Sequence, residues 1–484
     1  MSNLRARTLA AEEITLDGAQ IQTLANRLDG QLILPDDEAY DEARAVWNGM
    51  IDRRPALIVR CASSGDVVAA VNFAREHDLL LSVRGGGHNA AGYATNDGGL
   101  VIDLGPLNWV QVDPEARIVR VGGGATLGDL DRATQTHGLA VPAGVVSETG
   151  VAGLTLSGGY GWLRNKYGLT CDNLLGAEVV TADGRRLWAS DRKNRDLFWG
   201  LRGGGGNFGV VTTFEFRAFP LGPEVWMTAV FHDGRHAVEL LRGWRDYSLG
   251  APDEVATLVA IGQFPPGAEI FPTELHGRPF VAFVGVYAGP AEEGQRAMQP
   301  LRDLRPPLVD FSGMTTWLEA QQFFDEDYPA GELRYYWKSA NLFELSDAAI
   351  EQIAAGALTQ PSPLSTTDLW HVGGAIRRVD DEAAAFVGRS APFLFNVEAN
   401  WQDAKDDEAN LNWARALVAS MSEFSDGSRY FNFPGLHEEG EQIVRDTFGA
   451  KLQRLVVLKD KYDPANLFRM NGNIKPSSTA TPRG

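Results

Sequence analysis

Up to about residue 220, short apolar runs alternate with glycine-rich breaks, a pattern of strands and tight turns rather than of long helices. Residues 56–60 read as a strand. Ser63 or Ser64 then caps a helix to about Glu76, with Val67, Val68, Val71 and Ala74 spaced for one buried face. Residues 79–83 give a second strand that runs straight into Arg84-Gly85-Gly86-Gly87-His88-Asn89. This is a β-α-β unit with its glycine loop after the second strand, not the G-x-G-x-x-G turn that follows the first strand of a dinucleotide fold. Further strands are predicted at 100–104, 109–112 and 118–121, and Thr126 caps a helix to about His137. Residues 174–181 and 185–189 form a hairpin around Ala182-Asp183-Gly184. A short helix at 196–201 and a strand at 210–219 follow. From 224 to about 429 glycine thins, Trp and Phe rise, and helices such as 236–247 alternate with strands such as Pro279–Tyr287. That half reads as an antiparallel sheet with helices on one face.

Composition narrows the chemistry. The 484 residues carry 44 Lys+Arg against 63 Asp+Glu, a formal net charge of −19, and no long basic run. Such a surface repels phosphate backbones, which excludes nucleic acid and anionic membranes as expected partners. Two cysteines, Cys61 and Cys171, leave no disulfide framework and no cysteine-based zinc site, so no metal is expected. Residues 1–14 mix Arg5 and Arg7 with Glu12 and Glu13 and lack an apolar h-region, and the nearly uncharged stretch 139–162 holds six glycines. The expectation is a soluble, cytoplasmic protein. Low complexity is confined to the tail from Ser477 to Gly484.

Glycine is the strongest local signal. Of 53 glycines, 27 lie between Gly85 and Gly209. They cluster in Arg84-Gly-Gly-Gly-His88, Gly122-Gly-Gly124, Ser157-Gly-Gly-Tyr160-Gly161 and Arg202-Gly-Gly-Gly-Gly-Asn207. Glycine is entropically costly, so such density implies a backbone that turns tightly or approaches a ligand. Together with Cys171-Asp172-Asn173, Arg429-Tyr430-Phe431-Asn432 and Tyr462-Asp463-Pro464-Ala465-Asn466-Leu467-Phe468, these clusters resemble the berberine bridge enzyme-like flavoproteins of the vanillyl-alcohol oxidase / p-cresol methylhydroxylase superfamily. The likeness runs in order over roughly residues 40–476.

The resemblance implies an α+β fold with FAD as cofactor. It implies a two-part FAD-binding domain of p-cresol methylhydroxylase type at 1–222, an antiparallel-sheet substrate domain at 223–429, and a C-terminal segment, 430–484, returning to the FAD domain. His88 is implied to bond the flavin 8α-methyl, and a neutral imidazole nitrogen is a suitable nucleophile. Relatives with a second, cysteinyl link carry it at a Gly-x-Cys position. Here that position reads Gly144-Val145-Val146, so a single link is expected, with Cys171 inert.

Cofactor contacts are expected from Arg84, Gly85, Gly86, Gly87, His88 and Asn89 as an anion nest, and from Val146, Ser147, Thr149, Gly150, Gly153, Ser157, Gly158, Tyr160 and Gly161 around a helix start. Asn207, Gly209, Val210 and Val211 resemble the adenine-contacting strand, and Tyr430, Asn432 and Asn471 the C-terminal residues reaching the flavin ring. Thr149 also stands where relatives control oxygen access.

Catalytic candidates must come from the second half. Residues 391–401 alternate as a strand that puts Asn396, Glu398 and Asn400 on one face, and Glu398 acts as general base if burial raises its pKa. Tyr336, Asp368 and His371 are alternatives. The reading is an FAD oxidase moving hydride from an alcohol or amine carbon of a small aromatic or sugar-like substrate to flavin N5, with O2 as the second substrate. A flavin dehydrogenase with another acceptor, or a decayed flavin- or carbohydrate-binding protein, is the alternative; oligomeric state is left open.

Overall fold

The computed structural model describes residues 2–436 and 440–477; the tail predicted past Ser477 lies outside them. The strands of the first half divide between two sheets. Leu57–Arg60 and Leu81–Arg84 run parallel on either side of Leu100–Asp103, and Gln31–Ile33 joins antiparallel at the edge. The β-α-β unit therefore exists, but its two strands are not neighbours, because the third inserts between them. Its helix, Ser64–Glu76, starts with Ser63 accepting from the Asp66 amide while Asp66 caps in return, and buries Val67, Ala70, Val71 and Ala74 against this sheet. The second sheet is antiparallel, in the order Arg186–Ser190, Leu174–Val180, Val210–Arg217, Ile118–Gly122, Val110–Asp113.

The second half forms one large antiparallel sheet. Its order is Glu224–Asp233, Pro279–Tyr287, Val255–Gln263, Thr366–His371, Phe393–Trp401, Arg334–Leu342, with Val309–Asp310 and Gly313–Thr316 against the first strand. The helices Ala237–Gly250, Asp347–Ala357 and Asp407–Ser420 cover one face, where Leu240, Trp244, Ile353 and Leu417 pack with Val259, Phe283, Leu369 and Phe395. Strand alternation sends Phe231, Leu258, Ala282 and Leu394 to the other face, towards the first half.

The chain then crosses back. Glu441–Phe448 and Leu452–Tyr462 place Ile443, Val444 and Leu455 in one core with Val119 and Phe214. A fully buried ion pair, Lys459 Nζ to Asp463 Oδ2 at 2.7 Å, anchors this segment. Lys459 also donates to the carbonyls of Asn207 and Phe468, and Asp463 accepts from the amides of Leu467 and Phe468, so both charges are fully hydrogen-bonded. The fold is α+β.

Candidate active site

A cavity of about 1060 Å³ lies between the glycine-rich half and the bare face of the large sheet. Its first end is built from backbone. The amides of Gly86, Gly87, His88 and Asn89 have no hydrogen-bond acceptor among the described residues, and all four residues line the cavity. Such a run of free amides is the arrangement of an anion nest. The loop crosses the residue just before the helix Val151–Leu156 so closely that a Cβ on Gly86 would lie 2.4 Å from the Gly150 nitrogen, and a Cβ on Gly150 2.4 Å from the Gly86 nitrogen. Only paired glycines allow that crossing.

His88 sits at the join. Its Nε2 is buried without a partner among the described residues, and its Nδ1 lies 3.5 Å from Thr149 Oγ1. Burial pushes its pKa down to about 3, so the imidazole is neutral. Asn89, Val146, Thr149, Gly153, Ser157, Tyr160, Gly209, Val210, Val211, Tyr430, Asn432 and Asn471 also face the cavity. Asn471 donates to the Gly206 and Phe468 carbonyls and leaves its buried Oδ1 without a partner among the described residues.

Five expected contacts stand behind the wall instead. Arg84 pairs with Asp103 at 2.7 Å and donates to the Ala45 carbonyl, which turns its charge away from the nest. Ser147 gives its amide to Asp325. Gly158 abuts Phe386, and Gly161 abuts the Ala143 carbonyl. Asn207 donates to Gly204 and Gly472 and accepts from Ile474, splicing the glycine loop to the C-terminal segment. The reason is common to all five: each satisfies its polar groups, or fills its space, within the scaffold.

The other end is built from side chains. Glu398 lines the cavity and is 4% exposed. It accepts from Tyr328 Oη at 2.5 Å and from Asn396 Nδ2 at 2.7 Å. Burial raises its pKa to about 7, against the lowering effect of Tyr328, Asp368 and Asn396. Asp368, on the adjoining strand, is pushed well above the carboxylate range by burial and then by the Glu398 charge. Both neighbouring carboxyls are thus raised by burial, Asp368 further by the Glu398 charge. Asp327 joins them, raised to about 6 by burial and the Glu326 charge.

The remaining catalytic candidates are corrected by strand parity. Trp337 is the register partner of Glu398, so Tyr336 points to the opposite face, into the helix-side core, where Arg415 donates to its hydroxyl. Asp368 faces the cavity, so His371, three positions on, cannot; it lies against Asn165, and its carbonyl accepts from Arg164. Asn396 does not line the cavity but holds Glu398 from behind. Sequence reading missed Asp327, Tyr328 and Trp47, whose ring stacks on His88. Asp327 and Tyr328 lie near a short 3-10 turn, Asp325–Asp327, outside the regular strands and helices, and carry no periodic signal.

A glycine-built anion nest joined to a buried carboxylate pair is the layout of a cofactor-dependent oxidoreductase site. Residues 55–190 match the family model described as FAD binding domain, and residues 429–475 match that described as berberine and berberine like. (R)-6-hydroxynicotine oxidase of Paenarthrobacter nicotinovorans is 32% identical over 474 residues, 93% of this chain and 98% of the relative. The crystal structure of 6-hydroxy-D-nicotine oxidase from Arthrobacter nicotinovorans superposes with a TM-score of 0.83 at 30% identity, covering 93% and 98% of the two chains. A chitooligosaccharide oxidase structure gives 0.83 at 23% identity, a likeness of fold, over 95% of this chain and all of that one. The chain belongs to the berberine bridge enzyme-like FAD-linked oxidoreductases.

The residues present fit FAD: the free amides of 86–89, the open space beside Gly153 and Gly206, and the unpartnered Asn471 Oδ1 provide the cradle. No helix among the described residues is long and apolar enough to cross a membrane, and no group of three or more His, Cys, Asp or Glu there is arranged to hold a metal.

Proposed function

We propose that this FAD-linked oxidase removes hydride from a CH–OH or CH–NH carbon of an apolar-bodied substrate, with Glu398 taking the accompanying proton and FAD attached through His88 alone. Bound FAD would supply a two-electron acceptor that O2 could reoxidise, with H2O2 as the product. The observation that carries the reading is the Glu398 carboxylate, raised to about 7 and lining the same cavity as the neutral His88. A base of that pKa is half-ionised near neutral pH and keeps enough basicity to take a proton. Asn396 and Tyr328 hold its two oxygens, and the Asp368 proton keeps a second negative charge from forming beside it.

His88 offers a neutral ring nitrogen, while Val146 lines the cavity where a cysteine would stand and has no thiol to add. Cys171 is fully buried, with its thiol pKa pushed up by burial, and is not among the lining residues. Thr149, beside His88, is short enough to leave room for O2.

An aromatic substrate follows from the wall at the Glu398 end. Phe231, Leu258, Phe280, Phe324, Trp370 and Leu394 give this end an apolar wall suited to an aromatic ring, with polar side chains such as Gln263, Gln322, Asn400 and Gln402 lining the same cavity. The name of the 32% identical relative, an oxidase of a nitrogen-bearing aromatic compound, agrees. The partners are then a small molecule and O2, with nucleic acid disfavoured by the charge of −19.

Purified protein is tested by SDS denaturation followed by an O2-uptake screen. Flavin that stays with the chain, and turnover of aromatic alcohols or amines with H2O2 release, is expected. Flavin that separates completely ends the attachment claim. Turnover confined to saccharides ends the substrate claim.

A further inference from the structure

Trp47 and Asn48 lie before the region matched as the FAD-binding domain, on the stretch between the short helix Tyr40–Arg44 and the strand Leu57–Arg60. Both are buried, at 3% and 0% exposure, and neither enters the chemistry above. The Trp47 indole lies parallel to two rings from different halves of the protein. It stacks on His88 at 4.4 Å and 17°, and on Tyr335 at 3.7 Å and 14°. Its edge meets Trp337, the register partner of Glu398. Its Nε1–H donates to the Tyr328 carbonyl at 2.9 Å, and the Tyr328 hydroxyl donates to Glu398.

Asn48 completes the joint. Its Nδ2 donates to the Ala90 carbonyl at 2.6 Å and to the Tyr335 carbonyl at 2.9 Å, while its Oδ1 accepts the Tyr335 and Met50 amides at 3.0 Å each. One amide side chain thus bonds the loop after His88 to the strand beside Glu398 with all four of its capacities used. Core filling alone asks for apolar contact. Here two adjacent residues each reach both the flavin-attachment loop and the frame of the proton acceptor.

We propose that Trp47 and Asn48 are positioning residues that set the His88 ring plane and the Tyr328–Glu398 geometry together, so that flavin attachment and proton acceptance share one register. The inference rests on the roles given above to His88 and Glu398. The split of Trp47 is physical: its ring face orients His88, and its N–H holds Tyr328. Glu398 also faces Asp368 from the next strand and Asp327 from the turn preceding Tyr328, so a displaced Tyr328 leaves these acids to set its titration.

The test uses full-length holoenzyme carrying Trp47→Phe or Trp47→Leu. Three quantities are read: the fraction of flavin retained after SDS, the melting temperature, and the pH profile of anaerobic flavin reduction. Phe keeps a ring and loses the N–H. It is expected to retain covalent flavin while reduction slows by about three- to tenfold, the size of one net hydrogen bond, with an upward shift of the pH midpoint as Glu398 loses its Tyr328 donor. Leu removes both, and covalent flavin is expected to fall as well. If Leu does not fold, the Phe profile alone decides. Wild-type attachment and pH profile in both variants overturn the proposal. So does a lowered melting temperature with both of those readouts unchanged, which marks a purely structural residue. Failure of the parent reading shows separately, as loose flavin in wild type or an unchanged reduction rate in Glu398→Gln.

Discussion

The two ends of the cavity are made by opposite means. At the His88 end the groups presented are main-chain: free amides at 86–89 and a glycine crossing at Gly86 and Gly150. At the Glu398 end they are side chains projecting from a regular sheet, Glu398, Asp368 and the aromatic wall. Backbone sites tolerate little change because any Cβ alters the path of the chain. Side-chain sites can be rewritten one residue at a time on a fixed frame. The same fold is shared by proteins named for 6-hydroxy-D-nicotine and for chitooligosaccharide.

Four substitutions break or sharpen this contrast. The largest effect is expected from Glu398→Gln, which removes the base but leaves the His88 end intact. Anaerobic reduction should slow by about 10²–10⁴-fold with flavin content unchanged. A drop under about threefold, far below that range, moves the proton to Asp368 or Asp327. Wild-type reduction should also rise with pH through the Glu398 value near 7, since the carboxylate is the active form.

Next is Gly86→Ala at the other end. The added methyl meets backbone, not a movable side chain, so a stability loss of about 1–3 kcal/mol and poor flavin loading are expected together. Normal loading, read from the visible spectrum, denies that the crossing is needed.

A smaller effect is expected from Asp131→Asn. Asp131 braces the Gly144 loop beside Val146: it accepts from Trp317 and Gln321, and Gln321 donates to the Gly144 carbonyl. Burial raises its pKa from 3.8 to about 7. The folded state therefore holds a proton that the unfolded state releases, and its stabilising contribution, full below about pH 4, is lost as pH rises through 7. The asparagine variant should show a flatter fall of melting temperature over that window. The smallest effect is expected from Cys171→Ser: a melting temperature a few degrees lower and no change in the flavin spectrum or its retention, because the thiol does not line the cavity.

The same contrast governs what could be read from the sequence. Glycine clusters and turn residues report local backbone demands, so the hairpin Leu174–Val180 with Arg186–Ser190, the capped helix Ser64–Glu76 and the 86–89 loop were all legible. Glu398 was legible because a strand has a fixed period, and that same period rules out pairing Asp368 with His371 as cavity residues, a test sequence alone permits. Tyr328 and Trp47 were not legible. Each meets its partner across some 40 to 70 residues or more, by tertiary contacts that no local pattern encodes. Arg84 misled for a related reason: its neighbours suggested an anion, and Asp103, on the strand beside it, had already claimed the charge.

The returning C-terminal segment also imposes an order of events on synthesis. Val119 and Phe214 share their core with Ile443, Val444 and Leu455, and the Lys459–Asp463 pair seals the Asn207 loop. At ribosomal rates of about 5–20 residues per second, some 10–50 s separate the emergence of Phe214 from that of Ile443. Throughout that interval the large sheet is being made while the first half waits with an open core. The cradle for FAD is therefore completed only by residues that follow the large sheet, Asn471 among them, so the two parts of one cofactor site are made at opposite ends of that interval.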